Sequence, residues 1–184
     1  ATTVCFDSEY EEMVRTAEEA LGIAIKAIQP GLSTSYVGTE IQRVIVNHGY
    51  KPISNLTGHQ IGRYMIHTGR SLPNISHFSY NKIMPGDVYA IEPFVTLKEA
   101  EGKVIDSPQA YIYRFFKKRS IKNDNAKQLL KYIEENFKTL PFAERWLKLY
   151  DSSMKYKPAF SSLLESKCLL TYPVFVEVSH NKVA

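Results

Sequence analysis

Asn55-Leu56-Thr57-Gly58-His59-Gln60-Ile61-Gly62-Arg63-Tyr64-Met65-Ile66-His67-Thr68-Gly69 is the stretch around which the chain is organised. His59 and His67 stand eight residues apart in it, among Gly58, Gly62 and Gly69, which read as turn positions. Twenty-five residues beyond His67 comes Ile91-Glu92-Pro93-Phe94, a carboxylate at the end of an apolar, β-prone run. Two imidazoles and a carboxylate, each expected on its own turn, are side-chain types that hold borderline divalent metals.

Each residue also has a plainer reading. Gly58 would let the backbone turn tightly and carry the His59 imidazole into a cleft. A neutral ring nitrogen then serves as a metal ligand. A lone histidine is, however, more often a packed, hydrogen-bonded core residue. Glu92, followed by proline, sets a carboxylate in a rigid corner, where it needs a cation or donors. A salt bridge to one of the 23 Lys and Arg would serve as well, and spacing leaves metal and salt bridge equally open. Two ligands are also too few, because a catalytic zinc commonly takes three protein ligands and a two-metal site more. Asp87 and Asp106 read as turn residues. His48, His77 and His180 lie in polar segments and read as solvated.

Length and composition bound the rest. A chain of 184 residues is long enough for one core with a small appendage. With 44% hydrophobic and 23% charged residues it is an ordinary folded chain, not a disordered one. The net charge of +4 permits an anionic neighbour without demanding nucleic acid. Cys5 and Cys168 form no disulfide framework, which points to a reducing cytoplasm. No apolar run is long enough to span a bilayer, so no membrane partner is expected. Ala1-Thr2-Thr3-Val4-Cys5-Phe6 opens as a strand already under way, and Asn181-Lys182-Val183-Ala184 closes as if entering another. The sequence reads as a piece of a longer protein or of a larger assembly.

Between those ends the elements follow one another. Asp7-Ser8 caps a helix with Glu9, Glu11 and Glu12 in its first turn. Its apolar face is Met13, Val14, Ala17, Ala20, Leu21, Ala24, Ile25 and Ile28. After Pro30-Gly31, residues from Ser33 begin a second helix that buries Val37, Ile41, Val44 and Ile45 and ends at Gly49. Leu72-Pro73-Asn74-Ile75 reads as a loop, Met84–Asp87 as a turn, and Val88–Phe94 as one strand. Ala100–Lys103 is a hairpin tip, and Ala110–Phe115 another strand. Beyond Ile121 three short helices are expected. The first is capped by Asn123-Asp124, the second begins at Thr139–Phe142 and turns Phe142, Trp146, Leu147 and Tyr150 inward, and the third opens at Pro158. A strand-like run over Val174–Val178 follows.

Several motifs in order carry a family resemblance. Asn55–His59, His67-Thr68-Gly69, Leu72-Pro73-Asn74 and Gly86–Phe94 resemble those of a type 2 methionine aminopeptidase of archaeal style. Glu135–Phe137, Thr139–Phe142, Arg145–Leu147 and Tyr172-Pro173 resemble its helical insertion. The resemblance covers essentially all 184 residues. It implies an α/β pita-bread fold with an inserted, winged-helix-like helical subdomain. Residues 1–115 would be the catalytic domain, 116–172 the insertion, and 173–184 the return into the catalytic sheet. It implies removal of the initiator methionine from nascent chains by two divalent metal ions (Co, Mn, Fe or Zn). By motif, His59 and Glu92 are metal ligands and His67 is the catalytic histidine that touches substrate. Ile66 and Tyr172 join His67 in binding substrate.

The family's ligands are two aspartates, one histidine and two glutamates, so the remaining ones are expected outside residues 1–184 or on a complementary chain. The isolated chain is then expected to bind metal weakly and to cleave nothing. The expected partners are nascent N-termini and the ribosome, with the protein otherwise a cytoplasmic monomer. In the complete enzyme metal ions would activate a water and polarise the scissile carbonyl, and His67 would donate to the developing oxyanion. One rival is an inactive relative that serves as a ribosome-, RNA- or protein-binding module. Retention of His59, His67 and Glu92 weighs against it. Arg114–Lys122, a basic run with aromatics, is the nucleic-acid candidate, and a solvated loop is its plainer reading. A proline-cleaving relative is opposed by the insertion.

Overall fold

A computed structural model describes residues 3–153 and 155–184. The expected opening strand falls partly on Ala1 and Thr2, outside the described residues, and residues 3–5 take no regular structure. A 3-10 turn over Ser8–Tyr10 comes first, with the Asp7 carboxylate accepting the Glu9 amide at 3.0 Å. Helix α1 (Glu11–Ala27) continues from it. Met13, Ala20 and Ala24 are buried as the helical period requires. Thr16 joins them because its hydroxyl donates back to the Glu12 carbonyl at 2.8 Å, whereas Ile25 lies at the edge of the stripe and is exposed. Helix α2 (Thr34–Asn47) is capped by Ser33, whose hydroxyl accepts the Tyr36 amide at 3.1 Å. Val37, Ile41, Val44 and Ile45 are buried, and α1 and α2 pack side by side.

Beyond α2 the chain makes short strands. β1 (Lys51–Pro52) pairs antiparallel with β5 (Val95–Thr96). β2 (Thr57–Gln60) is the centre of an antiparallel sheet, flanked by β3 (Ser71–Pro73) and β4 (Tyr89–Ala90). Two expectations change here. Leu72-Pro73 is strand, because β2 offers it a ladder: Gly58 faces Leu72 and His59 faces Ser71. Val88–Phe94 is not one strand. It pairs with β2 at Tyr89–Ala90, then crosses at Ile91–Phe94 to join β1 as β5. Proline at position 93 has no N–H for a ladder, which suits the crossing. The C-terminal residues do enter this second sheet: Val95 and Ala184 exchange backbone hydrogen bonds, both at 2.8 Å. Met13, Ile41, Ile45, Leu72, Ile83 and Val95 belong to one core under these elements.

The chain divides into two compact units, Ala1–Ile105 with Val176–Ala184, and Asp106–Phe175. In the second, β6 (Val104–Phe115) lies between β7 (Phe142–Ala143) and β8 (Leu169–Glu177). Helix α3 (Asp124–Phe137) is capped by Asn123, and α4 (Lys157–Glu165) has Pro158 in its first turn. The expected middle helix is absent among the described residues: Phe142-Ala143 pairs with β6, and a 3-10 stretch covers Glu144–Leu149. Phe142 and Leu147 are buried as expected, but Trp146 and Tyr150 are partly exposed, because a 3-10 stretch does not keep the α-helical period. Leu129, Ile133, Phe142, Leu147, Phe160 and Leu163 make this unit's own core, with Phe137 stacked on Phe142 at 4.7 Å.

Candidate metal centre

His59 stands on the central strand β2, not on a turn. Gly58 takes an ordinary backbone conformation, and its lack of a side chain does something other than allow a turn. A Cβ at position 58 would meet the Ala90 carbonyl oxygen at 2.3 Å. The glycine therefore lets β4 approach β2 closely. That approach matters because β2 carries His59 and the segment after β4 carries Glu92.

The two side chains meet. His59 Nε2 lies 3.5 Å from Glu92 Oε1, with the histidine side chain 14% exposed and the glutamate 40%. Two donors about 2.1 Å from one tetrahedral cation stand about 3.4 Å apart. The His67 ring lies 4.1 Å from that of His59, tilted by 51°. Among the described residues Glu92 has no Lys or Arg as ion-pair partner, so the surface salt-bridge reading loses its partner. His59 Nδ1 is buried without a hydrogen bond. A satisfied core histidine would have bonded it, since an orphaned buried donor or acceptor costs about 1–3 kcal/mol.

One residue missed from the sequence ties this frame together. The Asn74 side chain is buried, and its Nδ2 donates to the Leu56 carbonyl at 3.1 Å and to the Glu92 carbonyl at 2.7 Å. It therefore links the entry of β2 to the backbone of the carboxylate. The only sequence signal was an asparagine directly after Leu72-Pro73. Its Oδ1 is buried without a partner.

The other candidates are placed as follows. Ile66 is half-buried beside exposed His67. Tyr172 is half-buried on β8 of the second unit. Asp87 is more than a turn residue: it accepts hydrogen bonds from Gln60 and Arg70 besides closing its own turn. His48 is exposed as expected, and its ring is also held, with Nδ1 3.0 Å from the Val44 carbonyl and Nε2 3.2 Å from Glu19. Among the described residues no group of three or more His, Cys, Asp or Glu is arranged to hold a metal ion. His59 and Glu92 thus suit a divalent cation in donor type and separation.

Paired helices and short antiparallel strands thus bring an imidazole and a carboxylate together beside β2. The sequence matches Metallopeptidase family M24 over residues 1–121, and the chain belongs to that family. Its fold is the family's pita-bread fold. The methionine aminopeptidase of Methanocaldococcus jannaschii is 41% identical over 177 residues, 96% of this chain and 58% of that protein. The chain spans about three fifths of the length of the curated relatives it matches. Among solved structures, a methionine aminopeptidase from Thermotoga maritima is 31% identical, with a TM-score of 0.50 over 55% of this chain and 40% of that one. A thermophilic Arx1 shares the fold with a TM-score of 0.71 at 15% identity, over 94% of this chain and 52% of that one.

Proposed function

We propose that the protein carrying this chain is a methionine aminopeptidase that removes the initiator methionine from nascent proteins and peptides. The observation that carries this reading is the 3.5 Å approach of His59 Nε2 to Glu92 Oε1, with the His67 ring 4.1 Å from that of His59. His59 and Glu92 hold one or both of two divalent cations (Co, Mn, Fe or Zn), and residues outside 1–184 complete the coordination. When bound, such cations lower the pKa of water and polarise a carbonyl. His67 donates to the scissile carbonyl oxygen, where negative charge develops. Ile66 lines the methionine pocket, and the same role for Tyr172 rests on its motif alone. Residues 116–172 form the type 2 insertion. The free thiols of Cys5 and Cys168 support a cytoplasmic setting, and no helix among the described residues is long and apolar enough to cross a membrane.

Release of methionine from a Met-Ala-Ser peptide by the full-length protein, with Mn²⁺ or Co²⁺, tests the reading. His67→Ala should lower kcat about 10²–10³-fold, as loss of one oxyanion donor does. Absence of turnover by the wild-type protein with every metal tried would refute it and favour the inactive binding module. The assembled His59, His67 and Glu92 count against that rival, since a pure binding module has no need to keep them together. The ribosome is the proposed place of work, with contact through the basic run Arg114–Lys122. Strongly salt-dependent binding to ribosomal RNA checks this.

A further inference from the structure

His67 is exposed at the end of a loop, yet its ring is held against that of His59. A catalytic side chain on a loop needs its backbone fixed to well under an ångström. We propose that Asp87 is the positioning residue for His67, acting through Gln60 and Thr68.

The connection is a directed chain of hydrogen bonds. Asp87 Oδ1 accepts Gln60 Nε2 at 2.8 Å, and Gln60 Oε1 accepts the Thr68 hydroxyl at 2.7 Å. Asp87 Oδ2 accepts the Met84 amide at 2.9 Å, Arg70 Nη1 at 3.3 Å and the Tyr89 hydroxyl at 3.4 Å. A carboxylate that only closed its own turn would need the Met84 contact and nothing more. Here the acid grips both ends of the segment between Gln60 and Arg70. Because an ionised carboxylate can only accept, it sets the direction of the Gln60 amide: Nε2 toward Asp87, Oε1 toward Thr68. Thr68 also donates its amide to the Gln60 carbonyl at 3.2 Å, and its hydroxyl oxygen lies 3.2 Å from the same carbonyl while its proton goes to Gln60 Oε1.

Alternation completes the argument. His59 and Gln60 are successive residues of β2 and point to opposite faces of the sheet. His67 and Thr68 are successive too, and the backbone at Thr68 and Arg70 hydrogen-bonds to Gln60. Thr68 bonds on the Gln60 side, and the His67 ring lies on the His59 side. Anchoring Thr68 therefore places His67. An asparagine at position 87 would turn an NH₂ group toward the donors of Gln60 or toward those of Met84 and Arg70, and break the chain at its source.

The inference rests on the proposed role of His67 for its kinetic arm only. In the 184-residue chain, Asp87→Asn and Thr68→Val should each lower the hydrogen-exchange protection of the Gly62, Met65 and Thr68 amides at least tenfold. Protection at Val95 should stay unchanged, and Thr68→Ser should restore the loop. In the full-length protein both variants should lower kcat at least tenfold with KM within twofold. Unchanged protection overturns the proposal, as does a valine variant that behaves like serine, or lost protection with kcat unaltered. If Asp87→Asn fails to fold, Thr68→Val at its exposed site decides. If the wild-type protein shows no turnover, the aminopeptidase reading fails and the exchange measurement alone decides the anchor.

Discussion

Replacing Gly58 by alanine adds one methyl group at a point where the Ala90 carbonyl closely approaches β2. The new Cβ would stand 2.3 Å from the Ala90 carbonyl oxygen and 3.3 Å from the Glu92 amide nitrogen. Both are backbone atoms, so no side chain can swing aside. The strands must part by about 1 Å to reach van der Waals separation. Overpacking of this kind costs about 1–3 kcal/mol, and a rigid obstacle puts the expectation at the upper end, about 2–3 kcal/mol. For a chain of this size that is a fall in Tm of about 5–10 °C. The same displacement widens the gap between His59 and Glu92, and metal affinity in the full-length protein should fall at least tenfold. Gly22→Ala is the control: it lies inside α1, its Cβ would meet nothing within 4 Å, and it should stabilise by about 0.5–1 kcal/mol. Thermal unfolding by circular dichroism and metal titration by calorimetry read both effects. A Gly58→Ala protein with unchanged Tm and unchanged metal affinity would refute the close-approach argument.

Other expectations follow from single sites. Asn74→Ala strips the Leu56 and Glu92 carbonyls of their buried donor and should cost about 2–3 kcal/mol in urea unfolding. Leu129→Ala, at a fully buried position of α3, should cost about 2–5 kcal/mol by the same measurement. Burial pushes the Glu177 carboxyl up, but hydrogen bonds from Ser179, Asn181 and Gly102 outweigh it and hold the group below the ordinary range. A depressed carboxyl contributes stability above its unfolded pKa and loses it as pH falls through the folded one. Exchange protection of residues 179–184 should therefore fall as pH drops below about 4.3, and Glu177→Gln should flatten that dependence. Calorimetry on residues 1–184 alone should find weak metal binding, and tight binding of two cations would show that the chain supplies more than His59 and Glu92.

Much of the helical framework was legible because its signals are local. Asp7, Ser33 and Asn123 each accept a backbone amide at a helix start, and Val37, Ile41, Val44 and Ile45 follow one helical face. The short strands were harder. Leu72-Pro73 carries no strand pattern of its own and became strand only because β2 lay beside it. Val88–Phe94 looked like one strand by propensity, yet its two ends serve different partners. Phe142 was rightly expected inside, but in a β-bridge to Tyr113 and not in a helix.

For the site, the sequence alone determined the chemistry on offer: imidazoles at 59 and 67, a carboxylate at 92, and motifs in the order of a known peptidase family. Residue type and local spacing are sufficient for that. Only the tertiary structure decided how those groups stand. It set His59 against Glu92 at 3.5 Å, replaced the supposed turn at Gly58 by a close approach of strands, and revealed Asn74 and Asp87 as the braces. The physical reason is that distances between strands, and hydrogen bonds between residues 18 or 27 positions apart, arise from packing and pairing, which no local stretch of sequence encodes.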